Sequence, residues 1–249
     1  MKKNIAVIDL GSNRIALATA SIGTDGSVSI NSLENTFSHG VKNGEIIDIN
    51  KVVSDIAAIK EKTEQKKGGK VPKKVFAITK GIDIKTELSR GMIALARNPR
   101  EITKYDIEKC LDMTTMIKLP LERSIVGRTI KGFCIDGGSC SLSNPLGLYG
   151  IKLEAEAFVT TVPTAKIRSL TKCVDHAGLL LDEVHFSGVS VSVSVLDEEE
   201  KERGVLLLVI GHSLTEIIIF KDKLMKKSSI LENGARTVVD IDKNIVPEK

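Results

Sequence analysis

The sequence predicts an α/β fold in which a mixed sheet is covered by helices. Ile, Val and Leu must supply the core, because aromatic residues make up only 3% of the 249 residues and tryptophan is absent. Apolar segments of strand length recur along the chain, and glycine-containing turns join them near both ends. Segments with a single apolar helical face lie between these strands. Together these observations favour strands in a sheet with helices packed on it.

Composition and charge argue against several classes of protein. Hydrophobic residues make up 42% of the chain and charged residues 27%, as in soluble globular proteins. The net charge of +4, from 36 basic and 32 acidic residues, gives no reason to expect nucleic-acid binding. No apolar stretch reaches roughly 18 residues and no N-terminal signal is visible, so we expect no membrane-spanning segment.

The four cysteines bear on metal binding and on the redox compartment of the protein. The cysteines show no CxxC pairing and no histidine at metal-ligand spacing, so we expect reduced thiols, no metal site and a cytosolic protein. They are Cys110, Cys134, Cys140 and Cys173.

The basic run between Lys60 and Lys74 is interpreted as a solvated connection. The alternative is a patch for an anionic membrane or nucleic acid, because clustered lysines respond to a negative surface.

Residues 1–80 predict three strands, a helix and a fourth strand. A continuous apolar segment, IAVID, ends in a glycine turn at residues 11–13, and Asp25-Gly26 is a hairpin turn between two further apolar segments. An amphipathic helix and another apolar segment follow. We expect strands over 4–9, 14–22, 27–33 and 74–79, and a helix over 51–66.

Residues 81–152 predict a small α+β module inserted after this first part. Thr103 and Asp106 form a capping pattern, and the apolar residues behind it have helical spacing as far as Ile117. Pro120 is expected to end this helix. Alternation over 124–135 predicts a strand, and residues 144–147 predict a loop.

Residues 153–249 predict a second α/β part. We expect a strand over 153–162, a helix from residue 163 or 164 to Ala177, a strand over 182–186 and a short helix over 189–196. The charged segment Asp197–Arg203 is interpreted as a surface turn. A strand pair over 204–210 and 215–220 and a third segment over 223–231 repeat the arrangement at the N-terminus. Two strand–turn–strand units are therefore expected to face each other across a cleft.

Six segments of the chain resemble the bacterial cell-division protein family FtsA. They are IAVIDLGSNRIALATASI, GVKNGEIIDINKVVSDI, REITKYDIEKCLDM, NPLGLYGIKLEAEAFVTTVP, KCVDHAGLLLDEV and ERGVLLLVIGHSLTEIIIFKD. They occur in the order and at the spacing of the family. The NPLG block and the helix KCVDHAGL after it carry the most specific signal, whereas DLGSN also resembles exopolyphosphatase-type proteins of the same superfamily.

The resemblance implies an actin-like, ribonuclease H-like body with a mixed sheet and a small α+β module inserted in it. By this resemblance, residues 1–80 form the first lobe, 81–152 the inserted module and 153–249 part of the second lobe. It further implies a cytoplasmic scaffold that binds ATP between its lobes, polymerises, and ties a tubulin-like division ring to the membrane. The inserted module contacts other division proteins in this family.

The first hairpin matches the family's phosphate site in part. Such sites use backbone N–H groups of a turn and an aspartate that holds Mg²⁺ through water. Asp9 and Gly11 match the pattern, Ser12 and Asn13 suit a turn, and Arg14 stands where the family often has lysine. A plain hairpin with a surface aspartate is the alternative interpretation.

The second hairpin departs from the family's DIGGGTTD pattern. Gly211 and Thr215 are retained and complete the set of candidate nucleotide-binding residues. Val209 replaces the aspartate that faces the metal, and His212 adds a side chain where glycine is usual. Ser213, Leu214 and Glu216 also differ from the pattern. We therefore expect no catalytic residue, no metal site and no useful ATPase activity, with ATP and Mg²⁺ bound weakly if at all.

The chain also stops before the lobe that follows in the family. By the resemblance, the adenosine loop and the C-terminal amphipathic membrane helix would be in that lobe. An exposed apolar face is expected where the lobe would pack, and self-association through it is one expected consequence.

Three interpretations of function follow. The first is a non-hydrolysing interaction module that contacts division proteins through the insert and is recruited by them to the division site or the inner membrane face. The second is a nucleotide-binding subunit completed by a separate chain. The third, a polyphosphate or nucleotide phosphatase, rests on DLGSN alone and conflicts with the altered second hairpin.

Overall fold

The computed structural model describes residues 3–67, 70–116 and 119–237. The strands are β1 (Lys3–Leu10), β2 (Arg14–Ile22), β3 (Val28–Phe37), β4 (Val41–Lys42), β5 (Glu45–Ile46), β6 (Lys74–Thr79), β7 (Lys85–Ala94), β8 (Arg100–Glu101), β9 (Arg123–Ile135), β10 (Tyr149–Gly150), β11 (Lys152–Pro163), β12 (Leu180–Phe186), β13 (Val205–Ile210), β14 (Thr215–Lys221) and β15 (Leu224–Leu231). The helices are α1 (Ile49–Lys67), α2 (Lys104–Met113), α3 (Thr164–His176), α4 (Ser187–Val195) and α5 (Glu198–Arg203).

The first sheet is mixed, as the sequence predicts, and has the strand order β12–β6–β1–β2–β3. β1 pairs antiparallel with β2, whereas β6 runs parallel to β1 and β12 runs parallel to β6. α1 and α3 pack against each other and contribute apolar side chains to the main core. Its fully buried members include Ile8, Leu17, Val52, Ile56 and Val75. Burying these aliphatic side chains is the main stabilising contribution to this part of the fold.

The module is built on a three-stranded antiparallel sheet in the order β7–β11–β9, with α2 packed on it. The capping pattern of α2 is confirmed: the Asp106 amide donates to Thr103 Oγ1, and the Thr103 amide donates to Asp106 Oδ2. The helix ends at Met113 and does not run on to Pro120 as expected. Thr114 is buried at the helix end and its hydroxyl donates to the Leu111 carbonyl, which satisfies the last turn. Residues 117–118 lie outside the described ranges.

Removing the Thr103 hydroxyl tests this cap. Thr103→Ala is expected to lower the free energy of unfolding by about 1 kcal/mol, because the N-terminal amide of α2 loses its acceptor. Urea unfolding followed by circular dichroism measures the change. Thr115→Ala is the matched control, because the half-buried Thr115 hydroxyl donates to the Asp112 carbonyl, three residues away, and caps no N-terminal amide. An effect of Thr103→Ala no larger than that of the control would contradict the assignment.

The chain returns from the module to the first sheet before it continues. α3 buries Leu170, Cys173 and Val174, and β12 becomes the edge strand beside β6. β11 is the central strand of the module sheet although it begins at residue 152. We therefore propose that the first lobe comprises residues 3–80 and 164–186, and that the module comprises 81–163. This differs from the division at 1–80, 81–152 and 153–249 expected from the sequence.

The last part is a three-stranded antiparallel sheet in the order β13–β14–β15, flanked by α4 and α5. The expected short helix after β12 is confirmed as α4. The segment expected to be a surface turn is instead the helix α5, because Asp197 and Glu200 form a capping box at its start. Gly204 ends α5 at φ 108°, a backbone conformation that favours glycine. Ile218, Phe220 and Met225 bury their side chains against Ile84 and Val162 of the module.

The expectation of four reduced cysteines is wrong for one pair. Cys134 and Cys140 are joined by a disulfide across a six-residue separation. Cys110 and Cys173 are free and buried. In the described part of the chain, no helix is long and apolar enough to span a membrane.

Candidate functional site

The two glycine hairpins lie on opposite sides of one cavity of about 260 Å³. In the first hairpin, the Gly11 amide donates to the Arg14 carbonyl at 3.0 Å. In the second, the Gly211 amide donates to the Leu214 carbonyl at 2.8 Å. A Cβ atom at Gly11 would lie 2.7 Å from the Arg14 oxygen, so the first turn requires glycine. The two units face each other across a cleft, as the sequence analysis expects.

Most of the candidate nucleotide-binding residues line this cavity. They are Asp9, Gly11, Ser12, Asn13, Arg14 and Gly211. Thr215 is not among the lining residues, because its hydroxyl donates to the Asn233 carbonyl at 2.5 Å. The replacements Val209, His212 and Ser213 do line the cavity. That these residues bind nucleotide stays a prediction.

Lys80 is a cleft residue that sequence reasoning missed. Its ammonium group lies 2.8 Å from Asp9 Oδ2. The second Asp9 oxygen, Oδ1, is buried without a hydrogen-bond partner among the described residues. Lys80 directly follows β6, which runs parallel to β1, so the carboxyl ends of the two strands bring Lys80 and Asp9 together. The parallel arrangement of β1 and β6 is the feature from which the position of Lys80 beside Asp9 could have been predicted.

Glu216 places a buried carboxyl group in the cleft. The residue is 2% exposed, and its Oε2 atom is buried without a partner among the described residues. Burial raises the pKa of Glu216 to about 7, although the nearby Lys80 ammonium and a hydrogen bond from Ser187 oppose the rise. Glu216 pairs directly with Val209 across the hairpin, so their side chains share a face. The carboxyl group of Glu216 therefore lies beside Val209 on the neighbouring strand.

A buried lysine joins the cleft to the base of the module. Lys166, whose side chain is 8% exposed, donates to Glu45 Oε1 at 2.7 Å, Asp83 Oδ1 at 2.8 Å and the Lys80 carbonyl at 2.6 Å. The Gly44 amide, beside Glu45, donates to Ser12 Oγ in the first hairpin at 3.0 Å. This cluster of Lys166, Glu45, Asp83 and the Lys80 carbonyl fixes the position of the backbone directly after β6, where Lys80 lies. Sequence reasoning missed it, because its members are separated by up to 121 positions.

Within the described ranges, the one group of side chains with metal-ligand spacing lies in the module rather than in the cleft. It consists of Cys134, Cys140 and Glu154. The cleft itself combines the Asp9–Lys80 ion pair, the Arg14 guanidinium and the buried Glu216 carboxyl. Of the two cationic side chains, Lys80 is already paired with Asp9, and the Gly11 and Gly211 amides donate to carbonyls of their own turns.

Comparisons with a protein-family model and with curated proteins both give similarity to FtsA. Residues 81–161 match the family described as the SHS2 domain inserted in FtsA. The chain is 28% identical to the cell division protein FtsA of Borreliella burgdorferi over 97% of its own length and 58% of that protein. It is 27% identical to FtsA of Pseudomonas aeruginosa over 92% of its own length and 54% of that protein. The chain thus spans about half the length of these relatives.

Solved structures with the same fold are more distant in sequence. A PilM–PilN type IV pilus biogenesis complex matches with a TM-score of 0.66 and 11% identity, over 98% of this chain and 66% of that one. The ethanolamine utilization protein EutJ of Carboxydothermus hydrogenoformans matches with a TM-score of 0.54 and 12% identity, over 98% and 58% of the two chains. The predicted actin-like α/β fold with an inserted module and the resemblance to FtsA are both confirmed.

Proposed function

We propose that this chain, which resembles FtsA along nearly its whole length, is a non-hydrolysing scaffold of the bacterial division machinery. Its module would contact other division proteins, and the chain would be cytoplasmic and recruited by these partners to the division site. The match of residues 81–161 to the SHS2 domain of FtsA is the observation that carries the proposal. The fold alone would not carry it, since one fold hosts many functions.

A groove beside the module supports a role in protein contact. The largest cavity described, about 960 Å³, lies between β9 of the module, β12 of the first sheet and α4. β9 and β12 are each the last strand of their sheets, so both present unpaired backbone groups at this groove. Unpaired strand edges can bind an extended peptide by adding a strand. Apolar side chains at Val126, Ile167 and Val193 line the groove and would contact alternate residues of such a peptide.

Peptide binding tests this proposal. Synthetic peptides covering the cytoplasmic segments of the division proteins of the same cell are titrated into the purified chain. At least one is expected to bind with micromolar affinity, and Val193→Asp is expected to weaken that binding at least tenfold, about 1.4 kcal/mol. Val193 is an exposed groove residue, so the substitution leaves the core intact.

Val28→Asp is the matched control, because Val28 is exposed on β3, the opposite edge of the first sheet. It is expected to leave peptide affinity unchanged. Absence of binding by every peptide would contradict the scaffold proposal, and equal weakening by both substitutions would contradict the groove.

The cleft residues argue against a magnesium–nucleotide complex. Lys80 already neutralises Asp9, the aspartate that would hold the metal through water. Val209 supplies no oxygen ligand, and the Glu216 carboxyl group beside it is 2% exposed. His212 and Ser213 place side chains where phosphate oxygens would approach the second turn. We therefore infer that the chain does not hydrolyse ATP.

Calorimetric titration with ATP tests this inference. We expect no binding heat up to millimolar nucleotide, with or without Mg²⁺, because the metal and the second turn both lack their usual contacts. A micromolar dissociation constant would contradict it. That result would favour the other candidate, a nucleotide-binding protein, which the cavity between the two hairpins would suit.

A further inference from the structure

We propose that Cys134 and Cys140 form a thiol–disulfide exchange site that reacts with low-molecular-weight disulfides of the glutathione class. The site lies in the module, at the end of β9 and in the loop that follows it. This proposal is independent of the proposed function, because it rests on the backbone and charges around the two cysteines.

The backbone brings the two thiols together whether or not they are bonded. The loop between them turns at Asp136 (φ 53°) and Gly137 (φ 82°). It is then held against β9 by two hydrogen bonds between Phe133 and Leu142, at 2.8 and 3.2 Å. Gly132 has no side chain at the point where the Cys140 carbonyl crosses β9, and a Cβ atom there would collide with that carbonyl. Cys134 and Cys140 are therefore neighbours at high effective concentration, which favours an intramolecular bond.

One cation lies close to Cys140, and two carboxylates share its charge. Arg90 Nη2 lies 4.0 Å from Cys140 Sγ. Arg90 is paired with Glu156 at 2.6 Å and with Glu154 at 3.5 Å, and Glu154 is also paired with Lys152. Positive charge close to a thiol favours the thiolate, which is the form that attacks a disulfide.

The other two cysteines provide an internal comparison. Cys110 and Cys173 are completely buried, and burial raises the pKa of each thiol to about 11. Both are therefore mostly protonated and shielded from reagents. Of the four cysteines, Cys140 alone has exposed surface.

The solvent exposure of the two cysteines indicates which thiol reacts first with an external disulfide. Cys140 is half-buried whereas Cys134 has no exposed surface, so an external disulfide meets Cys140 first. The Cys140 thiolate attacks one sulfur of the reagent, forms a mixed disulfide and releases one thiolate. The Cys134 thiolate then attacks the Cys140 sulfur, forms the Cys134–Cys140 bond and releases the second thiolate. One disulfide is reduced to two thiols, and two cysteine thiols are oxidised to one disulfide.

Metal binding by Cys134, Cys140 and Glu154 is the alternative to disulfide exchange at this site. The ligand atoms of Cys134, Cys140 and Glu154 all lie within 4.8 Å of one another. However, Glu154 has two cationic partners, which oppose binding of a further cation. The described residues also offer three protein ligands here, where structural zinc usually has four. The arrangement therefore favours exchange over metal binding.

Redox titration of the full chain tests the proposal. The reduced protein is equilibrated in glutathione buffers of increasing oxidation, quenched with acid, alkylated in denaturant and analysed by mass spectrometry. We expect alkylation of Cys134 and Cys140 to be lost together, and dithiothreitol to restore it. Cys110 and Cys173 are expected to be alkylated throughout, because they are buried in the folded protein and escape oxidation.

Two variants distinguish the first attack, by Cys140, from the second attack, by Cys134. Cys134→Ser is expected to accumulate the mixed glutathione disulfide at Cys140, because the resolving thiol is absent. Cys140→Ser is expected to slow oxidation of Cys134 at least about tenfold, because the exposed attacking thiol is absent. Circular dichroism of each variant confirms that it is folded.

Three results would overturn the proposal. One is that both cysteines remain alkylated in fully oxidised glutathione. Another is that Cys134 oxidises equally fast in the Cys140→Ser variant. The third is that the reduced protein, supplied with Zn²⁺ alone, retains one equivalent through gel filtration and is then protected from oxidation.

Discussion

Replacing Lys166 with alanine is expected to lower the free energy of unfolding by about 3 kcal/mol. The substitution leaves the Glu45 and Asp83 carboxylates and the Lys80 carbonyl without their shared cation in a mostly buried setting. Removing one partner of a buried ion pair costs roughly 3–5 kcal/mol. We take the lower end, because Glu45 is partly exposed and water recovers part of the loss. Urea unfolding at pH 7 measures the change.

Two further variants separate charge from packing. Lys166→Met keeps the length of the side chain without its charge, and we expect it to lose nearly as much stability as Lys166→Ala. Lys172→Ala, an exposed site in the same helix, is expected to stay within about 0.5 kcal/mol of the original protein. If Lys166→Met restores the original stability, the cluster contributes through packing and our account of it is wrong.

Replacing Glu216 with glutamine is expected to stabilise the protein at alkaline pH by about 3 kcal/mol. Burial raises the pKa of Glu216 from an ordinary value of 4.5 to about 7, so the folded state keeps the proton longer than the unfolded state does. This contribution to stability is fully present below pH 4.5. It declines as the pH rises and is lost once the pH passes about 7. Glutamine is neutral at every pH and avoids this loss.

The measurement is the difference in unfolding free energy between the two proteins from pH 4.5 to pH 8.5. The difference is expected to be near zero at the acidic end and to grow with pH until it levels off above about pH 7. Glu108→Gln, at an exposed site on α2, is the control and should show no such trend. A difference that is constant with pH would show that Glu216 ionises as easily in the folded state as in the unfolded state.

The strands with strong patterns were predictable from the sequence. β2 and β6 occupy the expected residues, because their apolar segments are bounded by turn signals. β7 was missed, because α2 packs closely on it and selects small residues. A Cβ atom at Gly91 would lie 2.7 Å from the Thr114 amide nitrogen, and Ser89 is buried on the same side. A strand that buries serine and glycine lacks the apolar alternation that marks a strand in sequence.

The site was predictable where it is local and not where it is assembled over long distances. The hairpin residues Asp9 and Gly11 follow from a short motif beside a strand. Lys80 and Lys166 belong to the cleft and its base only because β6 lies beside β1 and the chain returns from the module through α3. The Cys134–Cys140 pair is close because of the loop geometry, and its spacing matches no common motif.

The position of β12 sets the order in which the molecule is completed during synthesis. The first sheet contains β1 and β6 early in the chain, but its edge strand ends at Phe186. Every strand of the module has left the ribosome before that edge strand can pair. The module, with contacts closer together along the chain, is therefore able to fold first. Meanwhile the β6 edge of the nascent first sheet stays open until residue 186 emerges. Nascent chains too short for β12 to have emerged from the ribosome would expose an aggregation-prone edge that longer chains have covered.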